Sequence, residues 1–168
     1  MELKPNFFRL AGVALCVVLA LNFAIGQSEG TTRVSFAGLG SPVTLKPGKS
    51  SEALLRFVVA PGFHINSNAP KSDLLIPTSL KIDPAGVLST SKISYAEGKD
   101  LSLPFDPSTK LNVYSGEFMV RASLLASSNA TPGKATLHGQ LRYQACSDRS
   151  CFPPKTLPVD FDVTVTPR

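Results

Sequence analysis

An antiparallel β-sandwich is the fold this sequence predicts, and three observations lead to it. Short runs of β-branched and aromatic residues alternate between apolar and polar side chains. Fourteen prolines and twelve glycines interrupt those runs, and beyond residue 26 no apolar period of 3.6 is sustained long enough for a helix. Period-two alternation places one face of a strand on a core and the other in water, and seven or eight such strands in about 140 residues fit an immunoglobulin-like sandwich.

Seven segments carry the pattern. Residues 32–36 open it, and residues 53–60 form a β-branched and aromatic run that stops at the turn pair Pro61-Gly62. Residues 79–82 and 92–95 follow. In residues 117–125, Phe118, Val120 and Ala122 share one face while Met119, Arg121 and Ser123 share the other. Residues 135–143 alternate toward the first cysteine of a pair, and residues 158–166 set Val159, Phe161, Val163 and Val165 against Asp160, Asp162 and Thr164. No internal repeat interrupts this plan, so one domain over residues 32–168 is expected.

The N-terminus has the layout of an export signal. Lys4 and Arg9 precede an uncharged apolar run over residues 10–25, and Ala24-Ile25-Gly26 supplies a small-x-small cleavage site. Sixteen positions fall short of the roughly 20 that a spanning helix needs. Residues 1–26 are therefore expected to be removed, Cys16 with them, leaving residues 27–31 as a flexible lead-in. No membrane span is expected after cleavage. The remaining 142 residues hold two cysteines and a formal charge of +4, against +5 for the whole chain. The densest basic cluster is Lys46 and Lys49 without interleaved aromatics, which argues against nucleic-acid binding, since counterion release needs several clustered phosphate contacts.

The two cysteines lie in Tyr143-Gln144-Ala145-Cys146-Ser147-Asp148-Arg149-Ser150-Cys151-Phe152-Pro153-Pro154, between the last two predicted strands. Five extended steps would span roughly 17 Å, far more than the ~5.5 Å Cα separation of a disulfide. Closing the pair thus requires a turn at Ser147 to Ser150, where the short polar side chains of Asp148 and the two serines suit one. In an exported protein such a pair is either a staple or a redox couple. On the chain-entropy model a six-residue ring removes only about 2.2 kcal/mol of unfolded-state freedom, so both readings stay open on the residues alone. A metal site needs two further ligands, and His64 and His138 are the only histidines; neither metal nor cofactor is expected. Serine-triad, phosphate-loop and His-Glu metal signatures are also missing from the sequence.

The cysteine segment, with Pro61-Gly62-Phe63-His64-Ile65-Asn66, Leu75-Ile76-Pro77-Thr78-Ser79-Leu80 and Val113-Tyr114-Ser115-Gly116 upstream, resembles the N-terminal domain of the DsbD family of bacterial thiol:disulfide interchange proteins. The resemblance implies a periplasmic immunoglobulin-like domain that relays electrons between thioredoxin-like partners, as a component of protein-disulfide reduction. Cys146 and Cys151 would be its redox pair, with Cys151 held in the mixed disulfide and Cys146 resolving it. It further implies a cap loop over the cysteines. The matching region runs from Tyr95 to Val113, with residues 101–107 as its longest candidate loop and Phe105 as the lid. Tyr143, Phe152, His64 and Asn66 would line the site, and Glu97, Asp100 or Asp106 would supply an acidic neighbour.

Three departures from the family pattern bear on this. Four residues separate the cysteines rather than five, and His64 and Asn66 stand where tyrosines are common. His64 is either a proton-transfer group or a satisfied structural histidine. The sequence also carries neither the family's membrane segment nor its thioredoxin-like domain, so an electron donor in trans is expected. The alternative is a non-catalytic exported binding or assembly module that keeps the sandwich and a structural disulfide.

Overall fold

The alternating segments assemble into sheets whose inward faces are the predicted ones. A computed structural model describes residues 32–103 and 106–168, all within one compact unit, Thr31–Arg168. Twelve strands are found among the described residues: β1 (Val34–Leu39), β2 (Val43–Leu45), β3 (Ser50–Val59), β4 (His64–Asn66), β5 (Ser79–Ile82), β6 (Leu88–Tyr95), β7 (Lys99–Leu103), β8 (Asp106–Tyr114), β9 (Glu117–Ala126), β10 (Gly133–Tyr143), β11 (Ala145–Cys146) and β12 (Lys155–Val165). The chain is all-β, an immunoglobulin-like sandwich. The predicted signal and lead-in, Cys16 included, and Phe105 lie outside the described residues.

Two four-stranded sheets, β1-β3-β9-β6 and β2-β12-β10-β5, enclose the core. All their pairings are antiparallel except β2 with β12, which is parallel, a correction to the purely antiparallel expectation. The cause is local: after β1 pairs with β3, the chain breaks at Gly40-Ser41-Pro42 and β2 crosses to the other sheet, where its direction matches β12. The alternation in β9 and β12 is as expected, with Phe118, Val120, Ala122, Val159, Phe161, Val163 and Val165 buried.

A third sheet, β11-β4-β8-β7, carries the cysteine segment at one edge. Its strands were not foreseen. Within the expected cap loop over residues 101–107, β7 runs to Leu103 and β8 begins at Asp106, and the two pair from Lys99↔Val113 to Leu103↔Asp106. Pro107 lies within β8, and proline, although it cannot donate to a ladder, is tolerated where one edge of a strand is free. β8 meets that condition, since it pairs with β4 only through Val113 and Tyr114.

An aromatic file ties this small sheet to the sandwich. Phe36 and Phe57 lie 5.4 Å apart between centroids, Phe57 and Phe118 5.3 Å, and Phe118 and Tyr114 of β8 4.6 Å. The Tyr114 hydroxyl donates to Asn68 Oδ1 at 2.6 Å, giving the buried ring's polar end a partner. Phe57 is fully buried at the centre of the file. Phe57→Ala is expected to lower stability by about 3–5 kcal/mol, read from urea unfolding. Met119→Ala, on the outer face of β9, should stay within about 0.5 kcal/mol of the unsubstituted protein.

Candidate functional site

The site begins with a break in the longest ladder. β10 and β12 pair residue for residue from Gly133↔Val165 to Tyr143↔Lys155. Beyond that point Ala145 is bonded to Phe152 and Cys146 is bridged to Cys151. Two steps along one strand, from Tyr143 to Ala145, therefore oppose three along the other, from Lys155 to Phe152. Pro153-Pro154 occupies the longer side, where missing N–H donors cost nothing to a ladder that is already interrupted. Released from the β10–β12 register, residues 145–146 pair instead with β4, through Ala145↔Ile65 and Cys146↔His64.

Gln144 sits at the break and substitutes side-chain bonds for ladder bonds. Its Nε2 donates to Phe152 O at 3.2 Å, and its Oε1 accepts from Asn66 Nδ2 at 3.2 Å and from Ile76 N at 3.4 Å. Asn66 is fully buried and also donates to Ile76 O at 3.0 Å. One amide pair thus joins the cysteine hairpin, β4 and the segment before β5.

Past Gln144 the hairpin closes tightly. Ser147 N donates to Ser150 O at 2.9 Å and Phe152 N to Ala145 O at 2.8 Å, bracketing Cys146 and Cys151 as a non-hydrogen-bonded pair, the closer of the two antiparallel kinds. Ser147 Oγ accepts from Arg149 N and Ser150 N, as the sequence suggested for a serine at this tip. The cysteines form a disulfide with their Cα atoms 3.9 Å apart. Their environments differ sharply: Cys146 is 0% exposed, while Cys151 is on the surface.

The other predicted site residues gather around this bond unequally. Phe152 follows Cys151 and lies 5.9 Å from Phe63, centroid to centroid. The Arg33 guanidinium stacks 3.7 Å from the Phe152 centroid and 5.3 Å from that of Phe63. Arg33 and Gln144 are contributors that the residue-by-residue reading missed. Arg33 lies far away in sequence with no motif around it, whereas Gln144 had a signal in the Tyr-Gln-small-Cys run. Tyr143 ends β10 inside the main core, where burial pushes its phenol pKa up.

His64 occupies the first position of β4, after a turn in which Phe63 N bonds Ala60 O at 3.2 Å and Gly62 takes a positive φ of 79°. Pro61 before that glycine is the signature of a type II turn. His64 is 4% exposed, and its Nε2 has no hydrogen-bond partner among the described residues. Burial holds its pKa below the usual histidine value, and the nearby Asp148 carboxylate opposes that shift. Together with Asp148, Phe63, Lys99, Asp100 and Ser115, His64 lines a cavity of about 330 Å³. Of the acidic candidates, Asp100 is at this cavity, paired with Lys71 Nζ at 2.5 Å and with Asn112 Nδ2 at 3.1 Å. Glu97 is exposed and lines a neighbouring depression rather than this cavity, and Asp106 opens β8. Among the described residues no group of three or more His, Cys, Asp or Glu side chains is placed to hold a metal, and no helix is long and apolar enough to cross a membrane.

The family described as "Thiol:disulfide interchange protein DsbD, N-terminal" matches residues 40–162. No curated protein matches the chain. Similar solved structures include the reduced DsbD N-terminal domain of Neisseria meningitidis, 20% identical, covering 70% of this chain and 85% of that one, with a TM-score of 0.44. Another is the N-terminal periplasmic domain of ScsB from Proteus mirabilis, 13% identical, covering 78% and 46%, with a TM-score of 0.48. A third is the complex between the DsbD and PilB N-terminal domains of Neisseria meningitidis, 22% identical, covering 70% and 80%, with a TM-score of 0.40.

Two predictions come from this geometry. Gln144→Ala leaves Phe152 O and one Asn66 N–H without their partners, so a loss of about 1–3 kcal/mol is expected in urea unfolding, with faster amide exchange at Ile76. His64 supplies the second. The unfolded chain binds its proton near pH 6.5 and the folded chain only at lower pH, so the stability from keeping the ring neutral is complete above about 6.5 and is lost as pH falls through the folded pKa. Unfolding measured from about pH 7.5 to about pH 5 should show this decline, and His64→Gln should flatten it.

Proposed function

The chain belongs to the family of DsbD N-terminal domains, and from that membership we propose that it is a periplasmic thiol–disulfide exchange domain, working through reversible oxidation of Cys146 and Cys151. One observation supports this above the others: the disulfide joins a fully buried sulfur-bearing residue to an exposed one, at a hairpin tip held apart from the main ladder. An incoming thiolate has access to Cys151 and not to Cys146, and access is one of the conditions that set exchange rates.

The chemistry balances in two exchanges. A thiolate of a reduced, thioredoxin-like donor attacks Cys151 Sγ, the Cys146–Cys151 bond breaks, and Cys146 leaves as a thiolate that takes up a proton. The donor's second thiolate then attacks its own sulfur in the mixed disulfide, so the donor departs oxidised and Cys151 departs reduced. Two electrons and two protons have moved. Delivery to an oxidised acceptor runs the same steps backwards, with Cys151 attacking and Cys146 resolving. Donor and acceptor both act in trans on this proposal. The chain reaches the periplasm by the N-terminal signal, cleaved after Gly26.

Equilibration against glutathione and thioredoxin buffers tests the proposal. A reduction potential above about −300 mV is expected, whereas a value well below it identifies a structural bond and overturns the exchange role. With a thioredoxin-like partner, Cys146→Ser should accumulate a mixed disulfide through Cys151. Cys151→Ser should accumulate little, because its remaining thiol is buried.

A further inference from the structure

Strands β4 and β11 and an isolated bridge place His64, Cys146 and Cys151 in a single row. Cys146 is paired with Cys151 on one side and with His64 on the other. Directly opposite residues of an antiparallel ladder point to the same face, with Cβ atoms roughly 4.5–5.5 Å apart. His64 is therefore the cross-strand neighbour of Cys146, on the same face and on the side away from Cys151.

The His64 ring is buried, and its Nε2 has no hydrogen-bond partner among the described residues. Buried polar groups are otherwise almost always paired. In the oxidised domain the Cys146 sulfur has no proton to offer, because its bond goes to Cys151. Reduction creates an S–H donor on the residue directly cross-strand from His64. Taking the exchange role as its premise, we propose that His64 accepts the proton of the Cys146 thiol as Cys146 resolves a mixed disulfide on Cys151.

The step balances. The S–H proton moves to Nε2, the Cys146 thiolate attacks Cys151 Sγ, the Cys146–Cys151 bond forms, and the bond from Cys151 to the partner's sulfur breaks. The partner sulfur leaves as a thiolate, and the imidazolium returns its proton to solvent through the cavity. The surroundings suit both ring states. Burial keeps the resting ring neutral and hence able to accept, while Asp148 on the hairpin tip faces the imidazolium. Across the cavity stand Lys99 and Asp100 of β7 and Ser115 beyond β8, with Asp100 occupied by Lys71 and Asn112.

Reaction of the reduced domain with 5,5′-dithiobis(2-nitrobenzoate) isolates this step. The first thionitrobenzoate released reports attack by Cys151, and the second reports ring closure by Cys146. For the unsubstituted domain the second rate is expected to level off above about pH 7, where the ring is fully neutral. For His64→Gln it is expected to be about 100-fold slower at neutral pH and to climb about tenfold per pH unit toward the thiol's own pKa. Equal rates and profiles in the two proteins overturn the proposal. Should the variant fail to fold, the unsubstituted domain decides alone: a second rate rising about tenfold per unit from about pH 6.5 to 8.5 means that free thiolate, unassisted, does the work. A disulfide that no dithiol reduces, or a missing second release, defeats the exchange role itself and this inference with it, an outcome distinct from closure that proceeds without His64.

Discussion

The register break between Tyr143↔Lys155 and Cys146↔Cys151 is the constraint on which the site depends. Had the β10–β12 ladder continued unbroken, both cysteines would extend the end of a sandwich sheet, with no strand of a third sheet beside them. A one-residue slip changes which face each later side chain takes. Here the slip, accommodated at Pro153-Pro154, hands residues 145–146 to β4. The same slip removes backbone partners near Gln144, which explains why an amide side chain rather than an apolar one stands at the break: its two ends bond Phe152 O on one side and Asn66 and Ile76 on the other.

Rigidity on one side of the hairpin and openness on the other then follow from packing. Beneath the site, the file from Phe36 through Phe57 and Phe118 to Tyr114 runs from the β1 edge of the sandwich into the third sheet, so β4 and β8 are seated on a packed core. Beside the site, Arg33 covers Phe152 and Phe63 with its guanidinium plane, a contact that keeps two aromatic rings near Cys151 without burying the cysteine. The exposed cysteine is thus framed by shape and charge, and the other is enclosed.

Much of the sandwich was legible in the sequence because its strands are long and half-buried. β9 and β12 state their faces residue by residue, and β5 was located to the residue, 79–82. The third sheet was not legible for reasons specific to its elements. β4 and β11 are three and two residues long, too short for a period to register, and every residue in both is buried, so they show no alternation at all. β8 was hidden by Pro107, a residue that marks a break in most strands but is tolerated at a free edge. At the site, the turn at Ser147 to Ser150 could be deduced from chain geometry. The Cys146↔His64 pairing could not, since it is a contact between residues 82 positions apart with no shared motif.

The tightness of the ring argues about role as well as shape. A bond closing six residues restricts the unfolded chain by about 2.2 kcal/mol, against about 4.7 for a loop of 100, and in this fold the two cysteines are already brought together by backbone bonds at Ser147, Ser150, Ala145 and Phe152. Those bonds, the Gln144 amide and the Ser147 hydroxyl tie the hairpin through contacts that do not involve the sulfurs. A disulfide that adds little restraint to a frame standing without it can open and close while its surroundings keep their positions. Such preorganisation serves the proposed exchange, in which a thiol that resolves a mixed disulfide works best when it stays within reach of its target throughout.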